Sequence, residues 1–350
     1  MNAPSLKIRL TELSHGGGCG CKISPAVLAE ILAKSPAGAL PQELLVGTET
    51  ADDAAVYRLN ERQALVATTD FFTPIVDDPY DFGRIAATNA LSDVYAMGAR
   101  PILALAVVGM PLQRIPLEII RRILDGGEAV CAKAGVPIAG GHSIDTLEPI
   151  YGLVGIGLCS PQRILRNSTA RESDVLILGK PLGVGILSAA LKKGTLSESG
   201  YRAMLSTTTQ LNTPGEALAA LPGVHAMTDV TGFGLAGHLL EMCRGSGMSA
   251  EVSFSQLPLL EDALSFAKQD VVTGASKRNW DSYGKDVHLP GGFADWQRNL
   301  LTDPQTSGGL LVACAPESEV EVLGIFRKES FLQAKTIGRF APGPARVVVR

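Results

Sequence analysis

Tyr80-Asp-Phe-Gly-Arg-Ile-Ala-Ala-Thr-Asn-Ala-Leu-Ser-Asp-Val-Tyr-Ala-Met-Gly98 is the stretch whose pattern decides the fold class. Its apolar residues recur at the spacing of one helix face, and Gly98 follows as a C-terminal cap. These apolar positions are Ile85, Ala86, Ala90, Leu91, Val94 and Met97. Apolar runs typical of buried strands lie on both sides, at 64–69 and 102–108. A long helix between strands predicts an α/β or α+β fold.

The same alternation continues along the chain. A helix is predicted over 117–134, and strands over 136–139, 151–158 and 175–178. Between the first two of these strands, Gly140-Gly-His-Ser143 predicts a turn, because glycine pairs commonly interrupt regular structure. This order of elements again indicates strands mixed with long helices.

The chain changes character between 160 and 171, where Pro161 and three arginines interrupt the apolar rhythm. Such a shift predicts a domain boundary, with a first domain over 25–162 and a second over 163–350. In the second half, 267–300 is irregular and is interpreted as a surface loop system. The following segment, 302–312, predicts a turn that leads into a buried strand.

Composition limits the class of protein. The chain has 350 residues, 46% of them hydrophobic and 19% charged, which is typical of a soluble globular protein of two domains. A net charge of −4 without a basic run argues against a nucleic-acid partner. No apolar stretch reaches the about 20 residues of a membrane span, and no secretory leader is evident. Six unclustered cysteines fit a reducing compartment, so we expect a cytoplasmic protein with no membrane partner.

A glycine run near the N-terminus, Ser14-His-Gly-Gly-Gly-Cys-Gly-Cys-Lys22, carries two thiols and one amine. Glycine lets backbone amides approach an anion, and Lys22 adds a positive charge that would lower the pKa of Cys19 or Cys21. The alternative is a flexible tail with incidental thiols. Ser24 as N-cap and Pro25 at the first helical position argue against a tail. Zinc fits poorly without a C-x-x-C pair, and a Walker A loop would need Gly-Lys-Ser/Thr.

Five aspartates lie where rigid elements are predicted to end or to bury a face, namely Asp52, Asp53, Asp70, Asp93 and Asp229. Carboxylates at strand ends are typical ligands of a hard cation, although aspartate is also a common turn residue. Asp93 shares a helix face with Asn89 and small apolar residues, so we expect it to be partly buried and to need a partner. A metal ion would be one such partner.

Two glycine-rich turns admit two interpretations each. His142, in the turn at 140–143, suits either a ligand contact or an ordinary loop histidine. The segment 179–185 between a strand and a helix has the form of a phosphate loop, although glycine and proline commonly occur at such junctions.

Seven motifs together resemble the selenophosphate synthetase family, in the correct order and over essentially the whole chain. They are His15-Gly-Gly-Gly-Cys-Gly-Cys-Lys22, Asp52-Asp-Ala-Ala-Val56, Thr69-Asp-Phe-Phe72, Asn89-Ala-Leu-Ser-Asp-Val-Tyr-Ala-Met-Gly98, Gly140-Gly-His-Ser-Ile-Asp145, Thr228-Asp-Val-Thr-Gly-Phe-Gly234 and Asp303-Pro-Gln-Thr-Ser-Gly-Gly309. Some of these recur in the wider superfamily of aminoimidazole ribonucleotide synthetase, but the Gly-Cys-Gly-Cys-Lys loop belongs to the selenium enzyme.

The resemblance implies that ATP, selenide and water are converted to selenophosphate, AMP and phosphate, which supplies selenium for selenocysteine and selenouridine. It implies two α/β domains with mixed sheets flanked by helices, a homodimer, Mg²⁺, and K⁺ as an activator. Residues 1–24 would form a mobile catalytic loop, 25–162 the domain that binds ATP and magnesium and dimerises, and 163–350 the second domain. A protein that delivers selenium is a further implied partner.

The resemblance also implies roles for individual residues. Cys19 would be the essential thiol, Cys21 an auxiliary one, and Lys22 the charge near the transferred phosphate. Magnesium would be held by Asp53, Asp93 and Asp229. ATP would be contacted by Lys22, Thr50, Ala51, Asp52, Asp70 and Asp93, and the nucleotide of the partner subunit by Gly141, His142 and Ser143.

Two rival functions remain open at this point. One is another ATP-dependent phosphotransferase of the superfamily, such as a thiamine-phosphate kinase or a purine-pathway synthetase, although these lack the Cys-Gly-Cys-Lys loop. The other is a non-catalytic carrier of chalcogen or metal that uses Cys19 and Cys21, which would leave the acidic residues without a purpose.

Overall fold

The computed structural model of the chain describes residues 8–23, 25–32, 40–48 and 52–350. Within these ranges the chain forms two mixed sheets flanked by helices. The fold class predicted from the sequence is therefore confirmed.

The first half builds one sheet and the helices against it. Its elements are α1 (Pro25–Leu32), β1 (Leu44–Val46), β2 (Ala55–Arg58), β3 (Ala64–Phe72), α2 (Pro79–Ala96), β4 (Arg100–Met110), α3 (Leu117–Ala134), β5 (Ile138–Asp145) and β6 (Ile150–Cys159). The described strands follow the order β1-β2-β3-β6-β4-β5. Neighbours are antiparallel except β4 and β5, which run parallel.

The second half builds a sheet in the order β10-β13-β9-β12-β7-β11-β8. Its strands are β7 (Val175–Leu178), β8 (Val224–Asp229), β9 (Ser249–Val252), β10 (Val287–His288), β11 (Leu310–Cys314), β12 (Lys335–Ala341) and β13 (Arg346–Val349). Its helices are α4 (Val184–Lys192), α5 (Glu198–Thr208), α6 (Pro214–Leu218), α7 (Gly234–Ser246), α8 (Glu261–Lys268), α9 (Gly274–Tyr283), α10 (Asp295–Thr302) and α11 (Glu319–Lys328). All five residues of β11 are buried, as expected for a strand between two neighbours.

Helix α2 is the central element of the molecule. It crosses α3 at backbone contact, because a Cβ on Gly83 would lie 1.8 Å from the carbonyl oxygen of Ile123. At its other end α2 meets the second half, where a Cβ on Gly215 would lie 2.1 Å from the carbonyl oxygen of Tyr95. Only glycine permits such close approach. Residues on α2 are thereby brought between the two sheets.

The loop before β11 ties several segments together. Asp303 accepts a hydrogen bond from the Gly185 amide at 3.0 Å, and Gln305 accepts from the amides of Gly183 and Val184 at 3.1 and 3.2 Å. These bonds satisfy amides at the N-terminus of α4 that have no partner within the helix. The loop of residues 303–309 is thereby fixed against α4.

The structure differs from the sequence-based predictions at four places. Asp70 lies inside β3, not after its end, because β3 pairs with β6 as far as Phe72. Gly140 to Ser143 lie in β5 and not in a turn, since this segment pairs with β4. The region 267–300 contains α9 and α10 and is not only a loop system. The segment 179–185 is no open phosphate loop, because the Lys180 ammonium is buried and donates to the carbonyl oxygens of Gln210 and Ser307 at 2.6 and 2.9 Å.

Other features follow the predictions. Helix α3 and strand β7 have the predicted bounds, and Gly98 adopts φ 73° directly after α2 ends. The domain division at 162/163, which lies between β6 and β7 in the chain, stays a prediction. The proposed N-cap, Ser24, lies outside the described residues. Among the described helices, none combines the length and the apolar character that crossing a bilayer would require.

Candidate active site

The glycine run is packed against both halves of the molecule. Residues Gly18–Cys21 form a 3-10 turn, and the Gly18 amide donates to the Thr73 carbonyl at 2.8 Å. Gly18 has φ 53°, and a Cβ there would lie 2.3 Å from both Ile75 Cγ2 and Thr306 Oγ1. Glycine is therefore required at this position for the turn to seat. The mobility predicted for residues 1–24 stays a prediction.

The thiol of Cys19 is buried, with 1% of the residue exposed. Its Sγ donates to Asn89 Oδ1 at 3.2 Å, and its amide donates to Thr306 Oγ1 at 3.1 Å. Burial, followed by the negative charge of Asp70, raises the pKa of Cys19 well above the ordinary value, although Lys22 acts in the opposite direction. The expectation that the loop lowers the Cys19 pKa is therefore wrong for this packed arrangement, in which the thiol is protonated.

Lys22 and Asp70 form an ion pair at the same place. The Lys22 Nζ lies 3.6 Å from Asp70 Oδ2. The charge of Asp70 raises the pKa of Lys22 above its usual value, although burial opposes the effect, so the ammonium stays protonated at neutral pH. Lys22 therefore supplies a fixed positive charge next to the loop that carries Cys19.

Asn89 on α2 joins these groups. Its Nδ2 donates to Asp70 Oδ2 at 2.6 Å, while its Oδ1 accepts from Cys19 Sγ and from the Ser307 amide, the latter at 2.7 Å. The residue is fully buried. Sequence reasoning placed Asn89 only on the same face as Asp93 and gave it no role. The signal was its i, i+4 relation to Asp93, but its contacts with residues 19 and 307 depend on the tertiary fold.

Three predicted metal ligands, Asp53, Asp93 and Asp229, come from both halves of the chain and influence one another electrostatically. Burial raises the pKa of all three above the ordinary range, and Asp229 contributes the next largest effect for Asp53 and for Asp93. Because like charges disfavour joint ionisation in a buried place, this group favours a cation.

Within the described residues, each of these carboxylates accepts a hydrogen bond from one hydroxyl. Thr228 Oγ1 donates to Asp53 at 2.8 Å, Thr68 Oγ1 to Asp93 at 2.5 Å, and the Ser92 hydroxyl makes a short bond to Asp229. Within the described ranges, Asp53 Oδ2 is buried without a hydrogen-bond partner. An orphaned carboxylate oxygen of this kind fits a divalent cation.

The carboxylates are not already arranged around one ion. In the part of the chain that the structure describes, no three His, Cys, Asp or Glu side chains form a group that could hold a metal. Joint coordination by Asp53, Asp93 and Asp229 therefore requires their side chains to turn toward a common point.

The residues predicted to contact the nucleotide lie in separate parts of the structure. Asp52 accepts from the Asn167 amide at 2.8 Å, which ties the start of β2 to the second half. Thr50 and Ala51 lie outside the described residues. Gly141, His142 and Ser143 line a separate cavity of about 220 Å³ beside Tyr151. None of the residues near Cys19 lines that cavity among those described, so one chain does not bring this segment to the carboxylates.

A larger cavity, of about 640 Å³, borders the glycine run. It is lined by Gly16, Gly17, Gly20, Cys21 and Lys22, together with residues of α4 and α9. Sequence reasoning missed this cavity, because its walls come from four segments spread between residues 11 and 278.

Comparison with known proteins identifies the family to which the chain belongs. The family models described as AIR synthase related protein, N-terminal domain and C-terminal domain, match residues 51–159 and 171–350. A selenide, water dikinase of Burkholderia ambifaria (strain MC40-6) is 64% identical over 97% of this chain and 96% of its own length. One of Rhizobium meliloti (strain 1021) is 55% identical, with 99% of each chain covered.

A solved structure supports the fold. Thiamine-monophosphate kinase from Stenotrophomonas maltophilia superposes with a TM-score of 0.63 at 22% identity, covering 88% of this chain and 91% of that one. With the sequence identities over nearly full length, the chain belongs to the selenide, water dikinase family of AIR synthase related proteins.

Proposed function

We propose that this chain makes selenophosphate from selenide, ATP and water, with release of AMP and orthophosphate. The relatives named selenide, water dikinase, at 64% and 55% identity, support this activity. The observation that carries the proposal is that Asp70 pairs directly with Lys22 and is connected to the Cys19 thiol through Asn89. A thiol, an ammonium and a group of carboxylates are the functional groups that a selenium-dependent phosphotransferase needs.

Lys22 and the carboxylates divide the charge stabilisation. A triphosphate carries about four negative charges, and phosphoryl transfer is catalysed mainly by positioning and electrostatics. Lys22, kept protonated by Asp70, would face the transferred phosphoryl group. Asp53, Asp93 and Asp229 would hold Mg²⁺, which neutralises phosphate charge when it is bound. Potassium as an activator is part of the same proposal.

Cys19 would handle selenium from within a closable loop. In the packed arrangement the thiol is protonated and hidden, so transfer requires the loop to open and Cys19 to lose its proton to solvent. Closure, through the Gly18 and Cys19 amides, then excludes water from the reacting groups. Cys21, which is less buried, would be auxiliary.

A homodimer would complete the nucleotide site. Strand β5 is an edge strand paired only with β4 among the described strands, and its residues from 139 to 145 are exposed. An exposed edge favours pairing with another chain. The edge would bring Gly141, His142 and Ser143 to the ATP of the partner subunit. Thr50, Ala51 and Asp52 would contact the ATP bound by their own chain. A cytoplasmic location and a selenium-delivering partner belong to the same proposal.

The test is a product assay under anaerobic conditions. Phosphorus NMR of the protein with ATP, magnesium, potassium and selenide should show AMP, orthophosphate and selenophosphate accumulating in equal amounts, and none without selenide. Thiamine monophosphate and a purine-pathway substrate serve as rival acceptors. ADP formation with either acceptor, or no nucleotide turnover with selenide, would contradict the proposal, and the latter result favours a carrier.

A further inference from the structure

The cavity of about 640 Å³ beside the glycine run is strongly cationic. Four positively charged side chains line it, those of Lys22, Lys192, Lys193 and Arg278. No aspartate or glutamate lines it among the described residues. Since the whole chain has a net charge of −4, this concentration of positive charge is local. A cavity walled by one sign of charge attracts ions of the opposite sign.

Most of these cations lack an acidic partner. Lys192 Nζ lies 3.4 Å from the Ser14 carbonyl, and Arg278 donates to the Gly20 carbonyl at 2.9 Å. Within the described ranges, neither these two side chains nor Lys193 forms a salt bridge. Their charges are therefore available to a ligand.

The N-terminus of a helix borders the same space. Helix α9 begins at Gly274 with Thr273 as its N-cap, and both residues line the cavity. The first amides of a helix carry partial positive charge and bind phosphate-like anions. Gly16 and Gly17 also line the cavity.

We propose that this cavity binds a phosphate-type oxyanion and that the anionic products leave the site through it. This assignment rests on the proposed function. It follows from the position of Lys22, which lines the cavity and also pairs with Asp70 beside Cys19. An oxyanion released next to Lys22 meets Lys192, Lys193 and Arg278 on the way to solvent. Both orthophosphate and selenophosphate belong to this chemical class.

Inorganic phosphate is the probe for the first test, with no nucleotide or selenide present. Calorimetry at low ionic strength compares wild type with Lys193→Gln and with Lys192→Gln/Lys193→Gln. The matched control is Lys277→Gln on α9. Like Lys193→Gln, it removes one positive charge, but from an exposed lysine that is paired with Asp281 at 2.6 Å. We expect the double variant to bind phosphate about tenfold more weakly, equivalent to about 1.4 kcal/mol, and the control to match wild type.

Three results would overturn the proposal. The first is that wild type does not bind phosphate, and the second is that all variants bind phosphate equally well. The third is that Lys277→Gln loses as much phosphate affinity as the cavity variants. A repeat with ATP instead of phosphate separates the sources, because a loss confined to ATP would assign the cavity to the substrate and not to products.

A second measurement tests product release. Inhibition of selenide-dependent AMP formation by added phosphate should weaken in the double variant and stay unchanged in Lys277→Gln. Unchanged inhibition in the double variant would contradict release through this cavity. If wild type forms no AMP at all, the proposed function fails, whereas phosphate binding is judged by calorimetry alone.

Discussion

At the scale of single residues, Asn89 shows why an amide is needed at the junction. Its Nδ2 donates to Asp70 and its Oδ1 accepts from Cys19 and Ser307. Aspartate at this position would lose the donor and bring a second negative charge against Asp70, which is costly in a buried place. Leucine would fill the volume but leave buried polar groups unpaired. Asparagine satisfies donors and acceptors from three separate segments.

Cys19→Ser and Cys21→Ser form a matched pair. We expect Cys19→Ser to lose selenide-dependent AMP formation by roughly 100-fold or more, because a serine hydroxyl does not ionise as a thiol does. Its free energy of unfolding should change by about 1 kcal/mol or less, since the hydroxyl still donates toward Asn89. Cys21→Ser should keep substantial activity. The reverse order of activities, in AMP assays beside urea unfolding, would reassign the essential thiol.

Asp93→Asn tests whether this carboxylate serves a cation. Burial and the charge of Asp229 raise the Asp93 pKa, so removing the charge should leave the melting temperature without metal equal or higher. The same change should abolish most of the melting-temperature increase caused by magnesium and ATP, because binding to the folded state is what stabilises it. Thermal melts with and without magnesium-ATP provide the measurement. A full ligand-induced increase in the variant would show that Asp93 is structural.

At the scale of elements, the short turn Gly18–Cys21 holds the Cys19 thiol in a buried position. It is positioned by the Thr73 carbonyl on one side and by the Thr306 hydroxyl on the other. Neither contact involves a neighbour in sequence, so the turn adopts its position only when the surrounding elements are in place.

Gly18→Ala should open this turn. A Cβ there would overlap Ile75 and Thr306, and φ 53° is itself unfavourable for alanine by about 1 kcal/mol. In a Cys21→Ser background, we expect faster alkylation of Cys19 under native conditions. Gly20→Ala is the control, because its Cβ would meet only Ala275 and Pro304 at an ordinary 3.6 Å. Equal alkylation rates in the two variants would show that Gly18 does not hold the turn closed.

Asp303→Asn should change how stability depends on pH. Burial raises the pKa of Asp303 from its ordinary value of 3.8 to about 7. The folded state then binds the extra proton between these values, so its contribution to stability is full below pH 3.8 and is lost as pH rises to 7. The difference is on the order of 4 kcal/mol. Urea unfolding of wild type from pH 4 to 7 should lose stability that the asparagine variant keeps, and parallel profiles would contradict the shifted pKa.

Local pattern was enough to predict elements whose apolar face is continuous, as in α2 and α3. It failed at Gly140 to Ser143, where the glycines indicate a turn but pairing with β4 makes a strand. It also ended β3 too early, since pairing with β6 extends β3 past Asp70. The aspartates could be found as candidates because their residue type limits their chemistry. The contacts of Cys19 could not be predicted from the sequence, because Asn89 and Thr306 are 70 and 287 residues away.

At the scale of the whole molecule, the candidate site exists only when both halves are docked. Asp229 from β8 accepts from Ser92 on α2, and Asn212 donates to Ser92 at 2.7 Å. Lys22, Asp70 and Asp93 belong to the first half of the chain. Folding of either half alone would leave this group of charges incomplete.

Gly215→Ala tests the contact between the halves. Alanine normally stabilises a helix by about 1 kcal/mol relative to glycine, but here its Cβ would lie 2.1 Å from the Tyr95 carbonyl. We expect a net loss of about 1–3 kcal/mol in unfolding free energy. Gly324→Ala is the control, since α11 leaves open space at that position and the change should stabilise. Two variants that both stabilise would show that the halves tolerate separation at this contact.

The bond between Asn89 and the Ser307 amide also has a consequence for biosynthesis. A ribosome adds about 5–20 residues per second, so the 288 residues between positions 19 and 307 take roughly 15–60 s. Throughout that interval the glycine-flanked thiol of the nascent chain lacks the loop that later covers it. Oxidation of the uncovered thiol is therefore a hazard of translation, and faster elongation of the final third of the message would shorten the interval.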